Sequence, residues 1–285
     1  MLDFSRIDAA LVTTRDASAQ KLAISRLEQI LKQNGIKMLL EAHSAHDLRR
    51  DDGLSKDEIF ARTKLVISLG GDGNYIGACR RFSTRGAYLF GVHTGSLGFL
   101  TDVLIDECAD FLNELKRGEF YVQKPRFLEA KLVRANASIS KLAFNDITLM
   151  REKINSTTRI DAFLDAKYFN SYIGDGIIGS SPMASTAYNM SAGGAIMHPD
   201  CDIYSLTPIC SHALTQRPLI LPSSYEIELR SNDDVIVLLD GQDYLRLKDY
   251  DSVKISVSKQ SINLIRRKER DYFEVLKQKL RWGHQ

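Results

Sequence analysis

The sequence predicts a two-domain protein in which an α/β domain is followed by a domain built mainly from β-strands. Over residues 1–120, strand-like and helix-like segments alternate, which is typical of a parallel sheet covered by helices. Over residues 121–268, strands follow one another closely, which indicates an antiparallel sheet pair or a β-sandwich-like domain. A last helix within 269–285 is predicted to pack back onto the first domain.

The first domain consists of strand–helix units. Strands are predicted over 7–12, 36–40, 65–69 and 87–92. Helices are predicted over 23–31, 75–82 and 105–115, because apolar residues recur there at helical spacing. Asn34-Gly35 and Gly118 supply the stop signals of the first and the last of these helices. Ser55 and Glu58 have the spacing of a capping box and predict the start of one more short helix.

The second domain shows a different pattern. Strands are predicted over 128–133, 142–149, 159–164, 225–229, 235–239 and 253–257. The interruption at 182–194 is rich in small residues and compatible with a helix. The final helix, over 271–280, is interpreted as a packing helix because its apolar residues share one face: Phe273, Val275, Leu276 and Leu280.

Composition and charge exclude several classes of protein. The 285-residue chain has 38 Lys+Arg against 36 Asp+Glu, so its charge gives no case for nucleic-acid binding. No apolar run approaches the ~20 residues that span a bilayer, and the N-terminus lacks the apolar segment of a signal peptide. The four cysteines have no metal-site spacing and are predicted to be reduced and mostly buried. We expect a cytoplasmic protein without a membrane partner.

The segment Gly70-Gly71-Asp72-Gly73 follows a predicted buried strand and opens a helix. Ligands bind at this edge of open parallel sheets, and glycines there let backbone N–H groups approach phosphate oxygens. A carboxylate beside a phosphate makes chemical sense if Asp72 accepts a proton from an attacking hydroxyl or helps to hold a metal ion. The alternative is that Asp-Gly forms only a tight turn.

Two further groups of residues have the chemistry of a binding site. A glycine-containing loop, 93–101, follows the next strand; we interpret its His93 as a hydrogen-bonded loop residue rather than a catalytic one. Asn145 and Asp146 are adjacent polar residues inside a predicted strand, so at least one of them faces the core or a cleft. An amide and a carboxylate suit sugar hydroxyls or an adenine edge, whereas a bulge or a satisfied polar pair is the alternative.

The segment 174–194 is dense in small and hydroxyl-bearing residues. Its length and polarity favour a ligand-lining role, with the ring of Tyr188 able to stack on a base. An ordinary helix N-cap region is the alternative interpretation. Other motifs are absent: the sequence has no P-loop, no G-x-G-x-x-G and no G-x-S-x-G elbow. Arg266, Arg267 and Lys268 are predicted to form a solvated turn.

Taken in order, these segments resemble the bacterial-type ATP-NAD kinase family over nearly the whole chain. GGDG alone is shared with diacylglycerol, sphingosine and phosphofructokinase-type enzymes, so the resemblance depends on the ordered set. The matching segments are GGDG at 70–73, GxxxGSLGFLT at 91–101, the Asn–acidic pair at 145–146, GDGIIGSSPMASTAYNMSAGG at 174–194, DGQ at 240–242 and FxxLxxKLxW at 273–282.

The resemblance implies a kinase that transfers the terminal phosphate of ATP to the 2′-hydroxyl of the adenosine ribose of NAD, forming NADP. It also implies a divalent cation, Mg²⁺ or Mn²⁺, a Rossmann-like N-terminal domain and a homodimer or homotetramer. Asp72 would be the general base. Asn145 and Asp146 would bind hydroxyls of NAD or its adenine, and Asp175 would contact the nicotinamide half across a subunit boundary. The other substrate-binding residues implied are Gly73, Met183, Thr186, Ala187, Tyr188, Asn189, Met190, Ser191 and Gln242.

The sequence departs from the family pattern at a few positions, and two rival functions stay open. Asp146 stands where the family usually has glutamate, so its contact is expected to be longer or water-mediated. Met183 and Ala184 replace a hydroxyl-bearing residue and a glycine. One rival is a lipid or sugar kinase that shares only GGDG. The other is a non-catalytic NAD(H) or NADP(H) binder, which would bind without turnover in the presence of ATP and Mg²⁺.

Overall fold

The computed structural model describes residues 3–95, 98–101 and 103–283. The chain divides into two compact units, one formed by Met1–Lys124 with Ile262–Gln285 and the other by Pro125–Ser261. No helix of the described segments is long and apolar enough to cross a membrane.

The first unit contains a seven-stranded sheet. Its strands are β1 (Ala9–Thr13), β2 (Lys37–Leu39), β3 (Leu65–Leu69), β4 (Tyr88–His93), β5 (Val103–Leu104), β6 (Phe120–Gln123) and β19 (Asn263–Arg267). They lie in the order β2-β1-β3-β4-β19-β6, with β5 paired to β4. All neighbours are parallel except β6, which runs antiparallel to β19. Every residue of β1 and β3 is buried, as expected for central strands of a parallel sheet.

Helices flank this sheet, and their ends follow the sequence signals. The side chain of Ser55 accepts from the Glu58 N–H while Glu58 accepts from the Ser55 N–H, which confirms the predicted capping box. Gly118 adopts the left-handed conformation at the end of its helix. The helices are α1 (Lys21–Gln33), α2 (Ala42–Asp47), α3 (Lys56–Arg62), α4 (Asp72–Phe82), α5 (Cys108–Arg117) and, near the C-terminus, α7 (Tyr272–Leu280). Short 3-10 helices lie at Phe4–Arg6, Ser83–Arg85 and Ile105–Glu107.

The second unit contains two six-stranded antiparallel sheets. The strands are β7 (Arg126–Arg134), β8 (Ala137–Ala143), β9 (Asp146–Arg151), β10 (Thr158–Leu164), β11 (Lys167–Gly174), β12 (Gly176–Ser180), β13 (Ile203–Ile209), β14 (Leu219–Pro222), β15 (Ile227–Arg230), β16 (Val235–Leu239), β17 (Asp243–Arg246) and β18 (Ser252–Ser261). The first sheet has the order β11-β10-β15-β18-β7-β8, and the second has the order β14-β13-β12-β9-β16-β17. One hydrophobic cluster includes Leu132 and Ile255 from the first sheet and Leu149, Tyr204 and Val237 from the second. A four-residue helix α6 (Tyr188–Ser191) and 3-10 helices at Pro182–Ala184 and Leu247–Asp249 complete the unit.

Two segments belong to a different unit from the one that the sequence suggested. The sequence assigned residues 121–268 to the β-rich domain and predicted no strand at either end of that range, whereas β6 and β19 lie in the sheet of the first unit. The chain returns after β18, and β19 pairs with β4 and β6. Pairing between strands that are far apart in the chain leaves no local sequence pattern, which explains the difference.

Other expectations about burial also differ from the structure. Phe273, placed on the packing face of the last helix, is 60% exposed, whereas Leu276 is buried. Cys201 and Cys210 are exposed, and only Cys79 and Cys108 are buried. The predicted solvated turn is wrong at its first residue, because Arg266 is fully buried within β19.

Candidate active site

The GGDG segment forms the turn between β3 and α4, with Asp72 as the first helical residue. Gly70 has a positive φ of 125°, and a Cβ on it would lie 2.1 Å from the amide nitrogen of Asn74. That amide donates to the carbonyl of Leu69 at 3.0 Å and to the hydroxyl of Thr14 at 3.2 Å. Asn74 therefore fixes the turn by joining the ends of two parallel strands.

The carboxylate of Asp72 binds the loop that follows β4. Its Oδ1 accepts the N–H groups of Leu100 and Thr101, each at 3.2 Å, and the hydroxyl of Thr101 at 3.0 Å. Its Oδ2 accepts the N–H of Phe99 at 2.9 Å. Among described residues this is the one hydrogen bond to Oδ2, so this oxygen retains capacity for another donor.

Gly98 and His93 allow the loop to approach Asp72. A Cβ on Gly98 would lie 2.1 Å from Asp72 Oδ1, so only glycine permits this contact. The ring Nε2 of buried His93 accepts the N–H of Gly98 at 2.7 Å and lies against the hydroxyl of Thr101. His93 is therefore a hydrogen-bonded residue that supports the loop, as its sequence context indicated. Ser96 and Leu97 of the same predicted loop lie outside the described residues.

In the second unit, Asn145 and Asp146 lie at a break between β8 and β9. The sequence predicted one continuous strand over 142–149. The structure interrupts it because three successive N–H groups turn to the carboxylate of Asp240: Phe144 to Oδ2 at 2.9 Å, and Asn145 and Asp146 to Oδ1 at 2.7 and 3.1 Å. Asp240 thus replaces a neighbouring strand as their acceptor.

Asp240 belongs to the DGQ segment of the family resemblance, but its role as an acceptor for three N–H groups was not predicted. Asp240 and Gly241, with φ of 54° and 61°, form the turn of the hairpin between β16 and β17. Gln242, which the resemblance assigned to the substrate, follows in the same turn and donates its N–H to the carbonyl of Leu239. The available signal was Asp-Gly between two apolar alternating strands, which indicates a hairpin.

Ser181 holds the same segment from its other side. Its hydroxyl donates to the carbonyl of Phe144 at 2.9 Å, and its N–H donates to the carbonyl of Asn145 at 2.9 Å. The side chain of Asn145 is 8% exposed, and its Oδ1 has no hydrogen-bond partner among the described residues. A buried amide oxygen without a donor is costly, so it marks a place where a ligand hydroxyl or amine can donate.

Asp146 has an unusual titration. Burial and the negative charge of Asp240 raise its pKa from the ordinary 3.8 to about 6, and a hydrogen bond from the Thr148 hydroxyl at 3.1 Å acts in the opposite direction. Burial is the larger cause. The carboxyl therefore changes its charge near neutral pH.

Asp175 lies between β11 and β12 and accepts the Nε–H of Arg151 at 2.8 Å, an ion pair that the sequence reasoning missed. Tyr188, at the start of α6, is 40% exposed. Partial burial, and then the charges of Cys210, Asp175 and Asp146, raise the pKa of its hydroxyl. The Tyr188 hydroxyl is therefore within electrostatic range of the Asp175 and Asp146 carboxylates.

The remaining predicted residues of 183–191 differ in exposure. Asn189 is fully buried: its Nδ2 donates to the carbonyls of Ser185 and Ala195, and its Oδ1 accepts the hydroxyls of Ser205 and Thr207. Its side chain is thus fully used inside the protein. Met183 and Thr186 are buried, Ala187 and Met190 half-buried, and Ser191 exposed.

Comparison with known proteins identifies the family. The model of the ATP-NAD kinase N-terminal domain matches residues 10–120, and that of the ATP-NAD kinase C-terminal domain matches residues 144–267. The chain belongs to the ATP-NAD kinase family. The NAD kinase of Campylobacter jejuni subsp. jejuni serotype O:6 is 39% identical over 285 residues, which is 99% of each chain. That of Sulfurimonas denitrificans is 36% identical over 274 residues, 95% of this chain and 96% of the relative.

Two solved structures share this mixed α/β fold with several sheets. Yeast NADH kinase complexed with NADH gives a TM-score of 0.83 at 24% identity, over 98% of this chain and 89% of that one. An NAD kinase from Archaeoglobus fulgidus in complex with ATP gives a TM-score of 0.74 at 23% identity, over 96% of this chain and 98% of that one. At these identities the two structures establish the fold of this ATP-NAD kinase family member.

The raised pKa of Asp146 predicts a pH-dependent stability difference between wild type and Asp146→Asn. Because the folded pKa exceeds the ordinary value, the carboxyl's contribution to folding is complete below about pH 4 and is lost as pH rises through about 6. Relative to wild type, Asp146→Asn should gain roughly 1–3 kcal/mol in unfolding free energy between about pH 4 and pH 7. Chemical denaturation at several pH values measures the unfolding free energy of both proteins. If the difference between them did not change with pH, the raised pKa of Asp146 would be contradicted.

Proposed function

We propose that Asp72 is the general base with which this NAD kinase transfers the terminal phosphate of ATP to the 2′-hydroxyl of the adenosine ribose of NAD, forming NADP. The assignment rests on the number of hydrogen bonds that each carboxylate oxygen of Asp72 accepts. Oδ1 is occupied by three donors of the loop, whereas Oδ2 accepts only the Phe99 N–H among described residues. Oδ2 is therefore the atom with a lone pair for the hydroxyl proton.

The reaction needs little covalent chemistry from the protein. The ribose O2′ forms a bond to the γ-phosphorus, the bond from that phosphorus to the bridging oxygen of ADP breaks, and the hydroxyl proton passes to Oδ2 of Asp72. Such transfers depend mainly on positioning and on electrostatic stabilisation. The four hydrogen bonds from the loop supply the positioning of the base.

For NAD we propose a binding region in the second unit around Asn145 and Asp146. The unpartnered Oδ1 of Asn145 would accept a hydrogen bond from a ribose hydroxyl or from the adenine amine. The exposed part of Tyr188 offers a ring for stacking, and Asp175 is fixed by Arg151. The other residues proposed to line the substrates are Gly73, Met183, Thr186, Ala187, Met190, Ser191 and Gln242, with Asn189 acting through the segment that its side chain anchors.

We propose that a divalent cation, Mg²⁺ or Mn²⁺, accompanies ATP. Within the described segments, no group of three or more His, Cys, Asp or Glu side chains is arranged to hold a metal ion. The side chains of the described segments thus form no cage of three or more such ligands. Mg²⁺ in kinases is usually bound through substrate phosphates with one or two carboxylates, so the ion would enter with the nucleotide. It would neutralise phosphate charge, and no step above is assigned to it.

Three further expectations are part of the proposal. The first unit would be a Rossmann-like domain, and the second a β-sandwich-like domain, since one core cluster contains side chains from both antiparallel sheets. The enzyme would be a homodimer or homotetramer. It would act in the cytoplasm.

Replacing Asp72 by asparagine should lower kcat by at least ~10²-fold, because the amide cannot accept the hydroxyl proton. The fold should persist, since the amide oxygen can still accept N–H groups of the loop. NADP formation from NAD, ATP and Mg²⁺, read through an NADP-specific dehydrogenase, measures the effect. Asp57→Asn, an exposed position in α3, is the matched control.

Wild-type-like turnover of a folded Asp72→Asn variant would contradict the assignment of the base. Binding of NAD by the wild-type protein without turnover, in the presence of ATP and Mg²⁺, would instead favour the non-catalytic binder.

Asn145→Ala should weaken NAD binding with little effect on stability, whereas Asn189→Ala should lower stability. Since Asn145 Oδ1 has no partner, its removal should leave the thermal midpoint within a few degrees of wild type and raise the Kd for NAD by about tenfold or more. Removal of the four bonds of Asn189 should cost about 2 kcal/mol or more of unfolding free energy. Calorimetry and NAD titration separate the two; unchanged NAD affinity in Asn145→Ala would refute its role.

A further inference from the structure

Two arginines lie behind the loop that binds Asp72. Arg266, fully buried in β19, donates from Nη1 to the carbonyl of Leu100 and from Nε to the side-chain oxygen of Gln123 at 3.3 Å. Arg270, in the turn after β19, donates from Nη2 to the carbonyl of Phe99 at 2.8 Å. Both arginines therefore bind backbone oxygens of the loop whose N–H groups bind Asp72.

The planarity of the peptide bond connects these contacts. The carbonyl of Phe99 and the N–H of Leu100 belong to one rigid peptide group, as do the carbonyl of Leu100 and the N–H of Thr101. Arg270 holds the first peptide by its oxygen and Asp72 holds it by its N–H; Arg266 and Asp72 hold the second in the same way. Each peptide is thus fixed at both ends, with a cation at one end and the carboxylate at the other.

This arrangement determines where the Asp72 carboxylate points. Hydrogen bonds to a charged group are stronger than neutral ones, and a bond to the carbonyl oxygen polarises the N–H of the same peptide toward its acceptor. The two guanidinium groups therefore strengthen the N–H bonds to Asp72 Oδ1. With Oδ1 held in this way, the orientation of the carboxylate is fixed, and Oδ2 keeps capacity for one more donor beside the Phe99 N–H.

We propose that Arg266 and Arg270 are positioning residues for the phosphoryl transfer, acting on Asp72 through the two peptides that connect Phe99, Leu100 and Thr101. The inference rests on the proposed role of Asp72 as the base. Both arginines lie outside the sequence motifs that identify the family.

The neighbouring Arg267 is a matched control. It lies on the same strand, but its guanidinium lies 3.3 Å from the carboxylate of Glu107 and 4.0 Å from that of Glu114. Among the described contacts, it donates nothing to the loop at 98–101. Arg267→Gln removes one guanidinium charge from β19, the strand that also contains Arg266, and leaves the hydrogen bonds to the two peptides in place.

The first test measures kcat and KM for Arg270→Ala, Arg270→Lys and Arg267→Gln. Since Arg270 is only partly buried and lies in a turn, its variants should fold. Arg270→Ala should lower kcat by about 10- to 100-fold with both KM values within about threefold, as expected for a misplaced catalytic group. Arg270→Lys should recover part of the loss because an ammonium still donates, and Arg267→Gln should stay within about threefold of wild type. Arg266→Lys should resemble Arg270→Lys.

A double-mutant cycle tests whether the effect passes through Asp72. In an Asp72→Ala background, Arg270→Ala should change the residual kcat by less than about threefold, because the group that it positions is absent. If Arg270→Ala lowered kcat in that background by the same factor as in wild type, Arg270 would act independently of Asp72, and the inference would be overturned. Wild-type kcat in Arg270→Ala would overturn it as well. If Asp72→Ala itself has wild-type kcat, the proposed base fails, which is a separate outcome.

Discussion

A carboxylate that accepts successive backbone N–H groups is the interaction on which the candidate site depends in each unit. Buried N–H groups in a loop have no strand partner and need another acceptor. Asp72 provides it for Phe99, Leu100 and Thr101, and Asp240 provides it for Phe144, Asn145 and Asp146. Two of the three peptides in each unit are bound at their carbonyl end as well, by Arg266 and Arg270 in the first unit and by Ser181 in the second. These irregular segments thereby satisfy backbone groups that have no partner in a neighbouring strand.

The two carboxylates differ in what remains available after each has bound its backbone segment. In the first unit the anchoring group is also the proposed base, because Asp72 retains a lone pair on Oδ2 after binding the loop. In the second unit Asp240 anchors the backbone, and the atoms proposed to meet NAD belong to its neighbours: the Asn145 amide oxygen, which has no donor among the described residues, and the Asp146 carboxyl, whose pKa is raised. Phosphoryl transfer depends on positioning, so rigid loops suit an NAD kinase.

Much of the fold could be predicted from the sequence, because its signals are local. The strand at 65–69, the capping box at Ser55 and the helix end at Gly118 follow from apolar runs, N-cap chemistry and glycine. The burial of Arg266 could not be predicted, because three consecutive basic residues are usually solvated and its partner Leu100 lies 166 positions earlier in the chain. The break at 144–145 likewise depends on Asp240, which a distant hairpin brings to the strand.

The most direct test of this account is hydrogen–deuterium exchange, resolved to single amides, of wild type and Asp72→Ala. If the carboxylate holds the loop, the amides of Phe99, Leu100 and Thr101 should be protected in wild type, and the variant should exchange them at least ~10-fold faster. Amides of the central strand β3 should be unchanged. Equal exchange of the three loop amides in the two proteins would contradict the claim that Asp72 anchors the loop and is oriented by it.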